Sequence, residues 1–199
     1  MATRNQLNPP PLRKITDFKS KLTGGGARSN LFEVELSFPS AVSVDGLNDI
    51  LNKARFLVKA ANLPASNVAP IEVPFRGRVL KVAGDRTFDT WTITVINDTD
   101  FAIRSAFEKW MNVINKMTDA TGLTDPAQYH KDAVVKQLDR DGSVLRSYKF
   151  WDIFPTNIST IDLSYETTDT IQEFTVEMQV HYWEALRGTS SQAGGEDIN

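Results

Sequence analysis

In the stretch from Glu173 to Trp183, EFTVEMQVHYW, polar and apolar side chains alternate from Glu173 through Tyr182. A β-strand points successive side chains to opposite faces, so Phe174, Val176, Met178, Val180 and Tyr182 share an inward face. Glu173, Thr175, Glu177, Gln179 and His181 then point to water. The same period governs NLFEVELSF (30–38), where Phe32, Val34, Leu36 and Phe38 alternate with Glu33, Glu35 and Ser37. It recurs in RFLVKAA (55–61), TWTITVI (90–96) and IDLSY (161–165). Antiparallel sheets with one wet face carry this pattern. Asp141-Gly142, between AVVKQL and VLRSYKF, supplies the residues of a tight hairpin turn.

One segment follows a different period. Ile103, Phe107, Trp110, Ile114 and Met117 recur at spacings of four, three, four and three, which predicts an amphipathic helix from Asp100 to Met117. Asp98, Thr99 and Asp100 place carboxylates and a cap at its positive end, and Gly122 lies beyond its far end. VDGLNDILNKAR (44–55) carries a weaker helical signal and reads equally as an ordered insertion after the first strand. The expected class is mainly β: an antiparallel β-sandwich or barrel-like subunit with one flanking amphipathic helix.

Charge divides the chain. Residues 1–30 hold Arg4, Arg13, Lys14, Lys19, Lys21 and Arg28 against Asp17 alone, so this arm is +5 and the remainder carries −8 of the net −3. With Pro9 to Pro11, Gly24 to Gly26 and few large apolar residues, the arm is expected to be extended. The expected organisation is a basic arm (1–30), a β domain (31–184) and a polar, flexible C-terminal tail (185–199). A net acidic chain is a poor general ligand for nucleic acid, so DNA is not expected to be gripped. There is no Cys and only His130 and His181, which excludes thiolate chemistry, cysteine zinc sites and multi-histidine metal sites. No run approaches the ~18 apolar residues of a membrane span, and the first residues contain no apolar leader core, so the expectation is a chain soluble in a reducing cytoplasm without stable membrane insertion.

Catalytic signatures are missing: no Gly-x-Ser-x-Gly, no phosphate loop, no His-Glu-x-x-His and no Gly-x-Gly-x-x-Gly. The carboxylate pairs Glu33/Glu35, Asp85/Asp89 and Glu173/Glu177 read as solvated faces rather than as acid–base pairs, because general acid–base work needs two different environments. No enzyme activity, cofactor or metal is expected. The segment from Asn62 to Arg78 reads as a long loop whose Val68, Ile71, Val73 and Phe75 lie outside an obvious core. With Arg76 they form a candidate subunit interface.

The stretch VAGDRTFDTWTITVIND (82–98) resembles the tail tube protein of contractile-tailed, myovirus-type bacteriophages. The similarity continues before it in NLFEVELSF and KAANLPASNVAPIEVPFRGRVLKV, and after it in YHKDAVVKQLDRDG, FPTNIS and VHYWE, covering about residues 29–184. The basic arm, the insertion around Ser40 to Lys53 and the tail after Glu184 depart from shorter members of the family.

The resemblance implies a structural, non-enzymatic virion protein. Six subunits would close into a ring, and rings would stack into a tube inside a contractile sheath, forming a conduit for genome ejection. Its partners would be itself, the sheath, the baseplate and tail terminator proteins, and DNA passing the lumen without specific binding. Assembly would take place in the host cytoplasm. On that picture Glu33, Glu35, Glu173 and Glu177 become candidates for an acidic lumen wall that repels DNA. Asp85, Arg86 and Asp89 become candidates for structural ion pairs at a turn. Two other readings stand beside this one: a tube-like baseplate initiator or injection-system tube, and a carbohydrate-binding β-sandwich using Trp91, Trp151 and Trp183 as stacking platforms.

Overall fold

The computed structural model describes residues 14–42 and 46–186. In chain order the elements are α1 (Ile15–Lys21), a 3-10 turn (Thr23–Gly25), β1 (Phe32–Glu35), α2 (Leu47–Leu57), β2 (Val58–Ala61), β3 (Ser66–Phe75) and β4 (Arg78–Phe88). Then follow β5 (Trp91–Ile96), α3 (Ala102–Ile114), α4 (Pro126–Tyr129), β6 (Lys131–Leu138), β7 (Val144–Ile158), β8 (Glu173–Gln179) and β9 (Tyr182–Leu186). Every strand pair among them is antiparallel.

One long strand, β7, carries both layers. Its first half pairs with β6 and β9, and its second half with β8. The first layer therefore runs β1-β6-β7-β9 and the second β7-β8-β5-β2. The change of layer falls at Asp152, whose φ of +53° is left-handed, between Trp151, the last residue paired to β9, and Phe154, the first paired to β8. Such irregularities let a strand turn a corner between sheets.

The two inner faces meet in one core. Val34, Val135 and Phe150 come from the first layer, and Trp91, Ile93, Phe174 and Met178 from the second. The Trp91 ring stacks on Phe150 at 4.5 Å between centroids and 7° between planes. α3 covers the core with Ile103, Ala106, Phe107 and Trp110, and Phe38 meets Phe107 and Trp110 edge-on at 5.2 and 5.5 Å. The Trp110 indole N–H donates to the Tyr129 carbonyl at 2.8 Å, which satisfies its polar atom. α2 fits beside β1 through buried Ile50 and Ala54, and its Lys53 ammonium bridges Asp98 and Asp100 before α3. Those hydrogen bonds raise the Lys53 pKa and hold Asp100 below the usual carboxylate range.

Several expectations change. The predicted helix to Met117 stops at Ile114, because the Lys116 and Leu123 N–H groups bond to Thr121 and Val113 carbonyls and turn the chain back. Gly122 permits that approach, since a Cβ there would lie 1.9 Å from the Ile114 oxygen. Met117 is consequently exposed. The uninterrupted EFTVEMQVHYW strand divides at Val180–His181, and β9 joins the other layer with the opposite phase, so Tyr182 faces water while Ala185 is buried. IDLSY forms no strand and belongs to a loop between β7 and β8. Residues 55–57 of RFLVKAA complete α2, and only 58–61 form a strand. The helical reading of 44–55 is the one the chain adopts, from Leu47 to Leu57. The arm is not extended throughout, since α1 occupies its second half. Strand β9 continues to Leu186, two residues past the expected domain end. The Asp141-Gly142 turn closes β6 onto β7, with Gly142 at φ +83° and Asp141 accepting from the Ser143 N–H at 2.9 Å. The expected extension of residues 1–13 and flexibility of 187–199 lie outside the described residues.

Candidate functional site

The long loop expected over 62–78 is instead the first arm of a β-ribbon that leaves the sandwich between β2 and β5. Its base is tied: the Thr92 N–H donates to Asn62 Oδ1 at 2.7 Å, the Asp89 N–H to the Ala65 carbonyl at 3.2 Å, and Asn67 Nδ2 to Asp89 Oδ1 at 3.0 Å. A bulge interrupts the register between Val68 and Pro70. Gly84 sits across from it, where a Cβ would come 2.6 Å from the Ala69 oxygen, so only glycine fits without displacing the partner strand. The tip is Arg76-Gly77, both at positive φ, the geometry of a tight hairpin turn.

Beyond the bulge the pairing sorts the side chains. Ile71 lies opposite Val82, Val73 opposite Leu80 and Phe75 opposite Arg78, which makes one face of the ribbon almost wholly apolar. Glu72 and Lys81 occupy the other face, 3.5 Å apart. Every residue of β3 is exposed; Phe75 retains 66% of its surface and Ile71 54%. A two-stranded ribbon is marginal alone in water, and an uncovered apolar face of this kind is the mark of an association surface.

The four candidate glutamates do not converge. Glu33 and Glu35 lie on the outer face of the first layer, where Glu35 meets Lys136 at 2.7 Å and Arg55 at 3.2 Å, and Glu33 meets Arg55 at 3.7 Å. That face also carries aromatic surface: Trp151 stacks on Tyr182 at 5.8 Å, donates to Glu184 at 2.8 Å and holds the Lys149 ammonium 3.2 Å over its ring. Glu173 and Glu177 lie on the outer face of the second layer, where Glu173 meets Lys59 at 2.5 Å. There Glu177 stands opposite Thr92 and Asn157, and Thr175 opposite Thr94, a surface of short polar side chains.

The expected turn ion pairs are replaced by other contacts. Asp85 and Arg86 are strand residues of β4, and among the described residues neither makes an ion pair. Asp89 instead accepts the Asn67 hydrogen bond at the ribbon base. Trp91 is fully buried and Trp183 half-buried against Phe88 and Tyr148, so a triad of exposed Trp platforms does not exist. His130 packs on Phe154, and His181 lies at the β8–β9 break against the Tyr182 ring. Among the described residues no group of His, Asp and Glu is arranged to hold a metal, and no helix is long and apolar enough to cross a membrane.

A family described as phage tail tube protein matches residues 27–186, which is most of the chain. The chain belongs to the phage tail tube protein family. The tail tube protein of Enterobacteria phage T4 is 36% identical over 163 residues, covering 81% of this chain and 93% of that relative. The tail tube protein of Serratia phage KSP90 is 28% identical over 179 residues, covering 88% and 98%. The tail tube family is structural and not enzymatic. Among solved structures, a chain of an extracellular contractile injection system, a sheath–tube complex in the extended state, aligns with a TM-score of 0.60 at 12% identity, covering 85% of this chain and 97% of that one. A chain of the tube-terminating cap of the anti-feeding prophage aligns with a TM-score of 0.60 at 16% identity, covering 82% and 92%. These two likenesses show a shared β fold.

Sequence reasoning located the apolar residues of β3 and missed their partners. Leu80 and Val82 complete the bare face, and the alternation on both sides of Arg76-Gly77 was the signal for a hairpin.

Proposed function

We propose that this chain is the structural subunit of a contractile-tail tube in the virion. Six copies close into a ring, rings stack into a rigid hollow tube inside a sheath, and phage DNA passes through the lumen into the host. The observation that carries this reading is the β3–β4 ribbon, which presents Ile71, Val73, Phe75, Leu80 and Val82 to solvent although the domain has a closed core of its own. Burying that face against a neighbouring copy gives the ribbon the support it lacks in the monomer. Val68, Ile71, Val73, Phe75 and Arg76 form one side of this contact.

The layer edges suit ring closure. β1 and β2 end their layers with only four residues each, short edges that neighbours can cover. Stacking is a heterologous contact, so it repeats without closing and needs no catalysis.

The lumen wall is the outer face of the second layer, with Glu173, Glu177, Thr92, Thr94, Thr175 and Asn157. Short polar and acidic side chains leave DNA little to adhere to. The first layer, which shows Trp151 and Tyr182 on its outer face, faces the sheath. Baseplate and terminator proteins meet the two ends of the stack.

The test is size-exclusion chromatography of the purified chain followed by negative-stain electron microscopy. Rings or stacked tubes with a central hole support the reading. Monomers that remain monomers, alone and after co-expression with baseplate proteins of the same phage, overturn it.

A further inference from the structure

α1 and the loop between β7 and β8 form a second pair of unpartnered surfaces. α1 presents Ile15, Phe18 and Leu22 at spacings of three and four, all exposed, and buries no residue at all. Lys14, Lys19 and Lys21 surround this stripe, and the carboxylate of Asp17 is engaged by the Lys14 N–H at 3.1 Å. A seven-residue helix is too short to be stable on its own in water, so it needs a surface to lie on. Gly24, Gly25 and Gly26 follow at φ +64°, +77° and +85°, a left-handed run between the helix and the anchor where the Leu138 N–H bonds to the Leu31 carbonyl. The family match begins at residue 27, so α1 lies just before the matched segment.

The β7–β8 loop has the complementary character. Residues 159–172 contain Asp162, Glu166 and Asp169 and neither Lys nor Arg. Leu163, Tyr165 and Ile171 are exposed among these acids. None of the three carboxylates has an ion-pair partner among the described residues, unlike Glu33, Glu35 and Glu173. The ribbon is a poorer match for α1, because Arg76, Arg78, Lys81 and Arg86 outnumber Glu72 and Asp85 there and would repel a basic helix.

We infer that α1 of one subunit docks on the β7–β8 loop of a second copy of this chain, Ile15, Phe18 and Leu22 against Leu163, Tyr165 and Ile171, with the lysines on Asp162, Glu166 and Asp169. The contact rests on the tube reading, since only an assembly presents the loop of one copy to the arm of another at every position. Repetition around and along a tube multiplies a contact that is weak when single. The arm is then a strap that adds a bond between subunits beyond those of the β domain.

The absence of Cys makes the test direct. Ser20→Cys on α1 and Ser164→Cys in the β7–β8 loop are both exposed sites beside the proposed contacts, where substitution leaves the fold and those contacts intact. Assembled tubes of the doubly substituted chain, treated with a short bismaleimide, should give a ladder of linked subunits on denaturing gels. A mixture of the two single variants should give dimers. Reversing Glu166 and Asp169 to Lys should lower the yield roughly fivefold, and adding Lys19→Glu with Lys21→Glu should restore it. Tubes that form normally but link nowhere, or only within one chain, overturn the inference and leave the tube reading standing. Failure of the unsubstituted chain to form rings or tubes, alone and after co-expression with baseplate proteins, overturns both.

Discussion

Phe75→Asp separates folding from assembly. The ring is 66% exposed in the subunit, so its removal takes little from the core, and the thermal midpoint should move by no more than about 2 °C. In a tube that surface is covered. A Phe side chain offers about 150–250 Å². Two-thirds of that, at about 25 cal/mol per Å², is roughly 2.5–4 kcal/mol per subunit. Imperfect burial and the ordering of the ribbon offset about half, leaving roughly 1.5–2 kcal/mol, or about a 10–30-fold rise in critical concentration. An unpaired carboxylate in the contact adds to that loss. Sedimentation of polymer across a concentration series reads the critical concentration, and thermal unfolding of the soluble fraction reads the fold. Tubes at the unsubstituted concentration would refute the assignment of the ribbon face, and a collapsed melting point would refute the claim that it lies outside the core.

Other perturbations give distinct signatures. Trp91→Ala should cost about 3–5 kcal/mol in urea unfolding, because the ring is fully buried on Phe150. Trp91→Phe should cost far less than the alanine, since the buried indole N–H has no partner to lose. Gly84→Ala should leave the core melting point nearly unchanged while exposing the ribbon to protease and reducing tube yield, because its Cβ meets the Ala69 oxygen at 2.6 Å. Asp100 is depressed by its Lys53 and Ala102 hydrogen bonds, so its stabilisation is present above the ordinary carboxylate range and lost as pH falls through and below it. Lys53 is raised, so its share is complete below the ordinary lysine value and lost on strong alkalisation. Lys53→Met should therefore flatten both limbs of a plot of melting temperature against pH.

What the sequence disclosed follows from how local each signal is. The alternation in β1, β5 and β8 and the three–four spacing of α3 depend only on which face is buried, so Val34, Ile93, Phe174 and Trp110 were assignable from their neighbours. The break at His181 was not, because residues 173–182 keep the alternation while the backbone transfers to another layer; Tyr182 and Trp183 exchange roles through pairing with β7, a partner distant in sequence. Asp152 marks the same corner in β7 and gives no local warning. The four glutamates were grouped because each is outward on its own strand. Sandwich topology sends outward residues of different layers to opposite surfaces, which pairwise strand patterns do not record. The ribbon was mistaken for a loop because Pro64, Pro70 and Pro74 suggest irregular chain. Pro64 precedes the ribbon, and in a two-stranded ribbon Pro70 and Pro74 can occupy positions that need no ladder donor.

Assembly turns on a surface that a lone domain leaves uncovered. A cryo-electron microscopy map of the assembled chain measures that most directly. The account predicts six-subunit rings stacked around an open lumen, with Ile71, Val73, Phe75 and Leu80 buried against a neighbouring copy and Glu177 facing the channel. Monomers only, or an assembly that leaves the β3–β4 ribbon face in solvent, would contradict it.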